Sequence, residues 1–171
     1  GYLVRGIWID TELTKFFTAN IALKKNKYFD EAIDAMIYLI VLSLGFGTVE
    51  NILVSIGNIL NYWQNINLGL GVFSTIQIIS LRFIGANLLH ALSAGIIGYF
   101  WALKLIYQKK RYLNLGLFLG ILLHWLFNIA IIKLDNNAVF IISIVLFLIC
   151  IFLLWAFDIL KQIKKPIEHK N

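Results

Sequence analysis

Glu12, Glu50, His90, His124 and Asn128 carry the chemistry this chain has to offer. Carboxylates and imidazoles exchange protons, ligate divalent metals and activate water. Glu50, His90, and His124 with Asn128 each sit inside a long apolar stretch. Hydrocarbon rejects such groups at about 2.5–3.5 kcal/mol or more each, so ionisable residues placed there mark working sites. Several on different segments point to one shared site.

Three chemistries suit two carboxylates and two imidazoles at one place. The first is a divalent metal such as zinc, with Glu50, His90 and His124 as the ligand set. The short-spaced HExxH pattern is absent, so the ligands must come from separate helices. The second is haem on His90 and His124, which leaves the glutamates without a role. The third needs no cofactor. A carboxylate in a low-dielectric site has a raised pKa and acts as a general base, a second group shares the proton, and His124 with Asn128 donates to an oxyanion. This scheme uses every group, and the reaction it suits is peptide-bond hydrolysis.

The elements that must position these groups follow from composition. Of 171 residues, 60% are hydrophobic and 14% charged, with a mean hydropathy of +0.83. Soluble domains are roughly half apolar and a quarter charged. The expected fold is therefore all-α, a polytopic transmembrane helix bundle forming one integral-membrane domain over residues 1–171. The spans are expected at about 3–23, 33–60, 83–107, 113–132 and 138–157, each close to the ~20 residues that cross a bilayer. The first is interrupted by Arg5, Asp10, Glu12 and Lys15, and the last is the most uniformly apolar. Residues 68–81 are too few to span, so an interfacial helix or a folded-back loop is expected there. The sole cysteine, Cys150, excludes an intrachain disulfide. The net charge of +6 is read as membrane topology, with the lipid bilayer as partner and no nucleic acid.

Basic residues follow alternate spans. Lys24, Lys25 and Lys27 come after the first, Lys104, Lys109, Lys110 and Arg111 after the third, and Lys161, Lys164, Lys165 and Lys170 after the fifth. The intervening connections hold Arg82 and Lys133. Basic loops face the cytoplasm, so the carboxyl terminus is expected there, in a multi-pass protein of the inner (plasma) membrane. At 1.5 Å rise per residue, Glu12, Glu50, His90 and His124 all lie roughly 12–15 Å below the outer surface. Their helix faces agree. Gly116, Gly120, His124 and Asn128 make one stripe, as do Ser43, Gly47, Glu50, Val54 and Gly57, and as do Asn87, His90, Ala94 and Gly98. Small residues on such stripes allow close helix approach.

Other polar residues have plainer roles. Asn51, Asn58 and Asn87, taken singly, read as interhelical hydrogen-bonding groups. Asp30, Glu31 and Asp34 suit a helix N-terminus. Trp63, Trp101, Trp125 and Trp155 suit interfaces or packing.

The chain resembles the PrsW family of intramembrane proteases, relatives of the CAAX prenyl protease and bacteriocin-processing group. The similar segments are T-E-L-T-K (Thr11 to Lys15), F-D-E-A-I-D (Phe29 to Asp34), G-F-G-T-V-E-N (Gly45 to Asn51), Arg82-Phe83 with His90, G-I-I-G-Y (Gly95 to Tyr99) and H-W-L-F-N (His124 to Asn128). The resemblance implies a bacterial helical endopeptidase that cuts a membrane-anchored protein near its extracytoplasmic side, as in anti-sigma-factor proteolysis. It implies a glutamic-type mechanism without organic cofactor, or a metal-dependent version of it. It matches Glu12 and Lys15 to a family E-E-x-x-K motif, Glu50 and Asn51 to an E-N pair, His90 to its first histidine, and His124 with Asn128 to H-x-x-x-N. Lys15, Asn51, Arg82 and Asn87 become supporting candidates.

The sequence departs from that pattern in two places. The first glutamate of the pair is Thr11, and Asp10 faces another side of the helix, roughly 100° away. The proline after F-D-E is Ala32. The alternative reading follows from Thr11: a weakened or inactive relative that binds membrane peptides, as in bacteriocin immunity. Upstream spans common in the family are missing from the sequence, as expected of a fragment.

Overall fold

The computed structural model describes the backbone of residues 4–23, 26–64, 68–133 and 136–163. Within the helices it describes side chains other than those of 4–10, 58, 59, 61–64, 68–75, 77–84, 130–133 and 136–140. Among the described residues five helices follow in order: α1 (Val4–Leu23), α2 (Asp34–Gln64), α3 (Leu68–Tyr107), α4 (Lys110–Lys133) and α5 (Asn136–Gln162). The protein is an all-α helical bundle.

Four of these helices contain segments long and apolar enough to cross a membrane: Asp34–Gly57, Gly85–Tyr107, Lys110–Ile129 and Ile141–Gln162. α3 is the axle of the bundle and packs against α2, α4, α5 and α1. Its span is 67% buried, against 17% in both α2 and α5. The outward faces of α2 and α5 are large apolar side chains such as Val41, Leu53, Phe147 and Leu154. Such faces suit lipid, where water-soluble bundles place charge.

α1 is built differently. It is 20 residues long, and Glu12 and Lys15 point inward: Glu12 is 0% exposed and Lys15 1%. These residues lie three apart and so share a face. α1 packs that face against α2, α4 and α3. The charges of Glu12 and Lys15 are thus hidden inside the bundle.

Residues 68–81, expected as a separate interfacial helix or loop, are continuous with α3, which runs 40 residues without a break. No proline stands in this stretch, so nothing in the backbone chemistry ends the helix.

Short connections hold the helices in place. The α1–α2 link buries Phe29 and Ala32, and the Asp34 carboxylate accepts from the amides of Glu31 at 2.8 Å and Asp30 at 3.1 Å. α3 passes to α4 through Gln108 and Lys109. Gln108 takes a left-handed φ of 56°, the usual helix-ending conformation, and its side-chain amide donates to the Leu105 carbonyl at 2.8 Å.

Candidate active site

One carboxylate oxygen organises the interior. Glu12 Oε1 accepts from Lys15 Nζ at 2.7 Å. The same ammonium lies 2.8 Å from His90 Nδ1. An ammonium only donates, so His90 Nδ1 accepts and the ring proton sits on Nε2. Nε2 then donates to Glu50 Oε2 at 3.1 Å. On the other flank His124 Nδ1 donates to Glu12 Oε1 at 2.7 Å, since an ionised carboxylate only accepts. The result is a connected network in which Lys15 donates both to Glu12 and, through His90, toward Glu50, while Glu12 also accepts from His124. It crosses α2, α3, α1 and α4 in turn.

Small residues make this meeting possible. A Cβ at Gly47 would fall 2.8 Å from His90 Cδ2 and 2.9 Å from Asn87 Oδ1. Gly47 therefore gives the imidazole its berth against α2. At Gly120, on α4, a Cβ would fall 2.6 Å from Ile97 and 3.1 Å from the Ser93 carbonyl. Ser43, on α2, donates to the His90 carbonyl at 2.8 Å, which ties the two helices together at the site. Further along α1 and α3, Phe16 packs edge-on to Trp101 at 5.1 Å, and Phe29 lies 5.5 Å from the same indole. Among the described residues of this network the Glu50 end is the open one: its side chain is 46% exposed, against 2% for His90.

Four of the expected site residues, Glu12, Glu50, His90 and His124, meet in this network. The His90 and His124 rings lie edge to face, 5.2 Å apart. Asn128 does not join them. Its amide donates back one turn to the His124 carbonyl at 3.0 Å, a local bond that polar residues in apolar helices commonly form. Asn51 donates to Asn87 at 3.1 Å, the interhelical role expected for both. Arg82 and Asn58 lie outside the described side chains.

Two residues escaped the sequence reading. Ser93 is fully buried, with its hydroxyl 3.2 Å from both Glu12 Oε1 and the His90 carbonyl. A single hydroxyl hydrogen serves one of them at a time. Its spacing of three from His90 was the available signal. Ser43 was seen only as a small residue on a stripe. Lys15, expected in a supporting place, is central.

Residues 10–156 match the model of a family described as the PrsW family of intramembrane metalloproteases. The chain belongs to the PrsW family. Protease PrsW of Clostridioides difficile (strain 630) is 28% identical over 155 residues, covering 88% of this chain and 57% of that relative. The PrsW-family chain thus spans little more than half the length of the curated relative it matches. No solved structure matches it. Its family and the four apolar helices among its described residues make it a multi-pass membrane protein.

The family description raises the question of a metal, and the residues present fit one. Glu12, His90 and His124 each offer a ligand atom, all within 4.8 Å of one another. Two imidazoles and a carboxylate are a normal set for catalytic zinc. Glu12 Oε2 is also buried and finds no hydrogen-bond partner among the described residues, an unusual state for a buried acceptor. The ligand set differs from the expected one in a single member. In this candidate group Glu12 stands where Glu50 was expected, and the Glu50 carboxylate lies 3.1 Å from His90 Nε2.

Proposed function

We propose that this chain carries the active centre of an intramembrane endopeptidase, which hydrolyses a peptide bond of a membrane-anchored protein near the extracytoplasmic side. The observation that carries this reading is the buried Glu12 carboxylate, held by Lys15 and His124 and linked through His90 to the exposed Glu50. A carboxylate kept ionised in an apolar interior is costly and idle unless it takes a proton or a cation.

In this reading Glu12 removes a proton from the attacking water. His124 holds Glu12 in place, and the Nδ1 acceptor and Nε2 donor of His90 pass charge toward Glu50 at the open end. A divalent ion held by Glu12, His90 and His124 would supply Lewis-acid polarisation of water and carbonyl. Asn128, bonded to the His124 carbonyl, steadies that helix turn and leaves the oxyanion to other donors. The alternating basic loops support an inner (plasma) membrane protein with a cytoplasmic carboxyl terminus. A bacterial anti-sigma factor is the substrate type the family suggests.

The direct test is a reconstituted single-span substrate. His90→Ala and Glu50→Ala should each lower cleavage by about 10²–10⁴-fold, the range for loss of an acid–base group, with expression unchanged. Undiminished cleavage removes both from the mechanism. Gly47→Ala probes the same ring through packing, because the added methyl must push His90 or Asn87 aside. We expect cleavage to fall more than about tenfold while stability changes by about 1–3 kcal/mol at most. Unaltered cleavage would show that the position of His90 does not matter.

Thr11 supplies a third measurement. Thr11→Glu adds a second carboxylate next to Glu12 in sequence, and a rise in cleavage is the expected result. No change would mean that Glu12 alone suffices for the base.

A further inference from the structure

We infer that the Lys15 ammonium occupies the cation position of this site, and that a divalent ion binds only by displacing it, so that removing Lys15 tightens metal binding. The inference rests on the metal-assisted form of the reading above. It concerns what regulates loading of the site rather than which residues ligate.

The geometry is the argument. Lys15 is 1% exposed, and its Nζ lies 2.7 Å from Glu12 Oε1 and 2.8 Å from His90 Nδ1. Two of the three residues able to hold an ion are therefore already bound to a cation. Ligation by imidazole needs a free nitrogen lone pair, and the lone pair of His90 Nδ1 is the one the ammonium uses. The other ring nitrogen is engaged by Glu50 at 3.1 Å. Charge points the same way. Glu12 and Lys15 together are near neutral, while an ion of charge two placed beside an ammonium in a low-dielectric interior is repelled. Lysine suits such a role because its charge rides on a flexible four-carbon stem. It neutralises Glu12 when no ion is present and can swing away when one arrives. The unpartnered Glu12 Oε2 offers an incoming ion its first contact before Lys15 leaves.

The experiment compares zinc affinity of the detergent-solubilised full chain with that of Lys15→Met, Lys15→Gln and Lys15→Arg, by competition against a chromophoric chelator. Lys15→Met and Lys15→Gln should bind zinc at least about tenfold tighter than the unaltered chain, as expected when a charge repulsion is removed. Lys15→Arg, which keeps the charge, should gain nothing. Zinc should also raise the melting temperature of Lys15→Met more than that of the unaltered chain, because tighter binding to the folded state gives the larger stabilisation. Zinc affinity that is unchanged or weaker in both uncharged variants overturns the inference, as does an absence of zinc binding in all the proteins. Should those variants fail to fold, the side-chain nitrogen resonance of Lys15 in the unaltered chain decides. Added zinc should shift it, and a fixed resonance overturns displacement. Cleavage assays on Glu12 or His90 variants bear on the proposed function alone, so the two ideas fail separately.

Discussion

Glu12→Gln should reduce cleavage of a reconstituted membrane substrate by at least about 10²-fold, the lower end for removal of a general base. The amide keeps the size of the carboxylate but cannot accept a proton at neutral pH. The change also leaves Lys15 buried at 1% exposure with no anion bonded to it. Breaking one member of a buried ion pair costs about 3–5 kcal/mol, because the orphaned charge stays behind. A fall in unfolding free energy should therefore accompany the loss of activity. Glu12→Gln combined with Lys15→Met separates the two effects. The double variant should regain much of the stability, since no unpaired charge remains, and regain none of the cleavage. That non-additivity is the signature of residues in direct contact. Wild-type cleavage by Glu12→Gln would remove the proposed base outright.

Gly98→Ala should be among the most damaging glycine-to-alanine changes at the described positions. A Cβ there would fall 2.6 Å from Met36 Cα, 3.1 Å from the Ala35 carbonyl and 3.2 Å from the Met36 amide nitrogen. All three atoms are backbone, so no side chain can rotate out of the way, and α2 and α3 must separate. Overpacking of this kind costs about 1–3 kcal/mol and sometimes more. In lipid, where close packing rather than hydrophobic exclusion holds helices together, such a separation is felt fully. The matched control is Gly45→Ala, also within α2, where an added Cβ meets nothing within 4 Å. That change should be neutral or stabilise by about 0.5–1 kcal/mol, the ordinary gain of alanine over glycine inside a helix. Equal unfolding curves for the two variants would show that the α2–α3 approach at Gly98 contributes little.

Much of this molecule was readable from the order of its residues. Hydropathy and helical period are local properties. They suffice to give apolar helices, the expectation that Glu12, Glu50, His90 and His124 share one level, and the small-residue faces around Gly47 and Gly120. Gly47 and Gly120 do lie where their faces expected, one against His90 and the other against Ile97 and Ser93. The family motifs added Lys15 as a supporting candidate three residues from Glu12.

Only the assembled bundle decided who bonds to whom. The rotation of α1 about its axis turns Lys15 into the centre of the network, between Glu12 and His90, although a lysine in an interrupted apolar segment reads equally well as a group reaching for the membrane surface. Asn128 shares a stripe with His124, yet its amide found the carbonyl one turn back. Spacing alone cannot separate a local bond from a distant one. Ser93 gained its place because α1 and α4 close over that side of α3. A pattern along one chain fixes which face of a helix is polar. The atom that face meets depends on how neighbouring helices cross and turn, and that is a property of the packed whole.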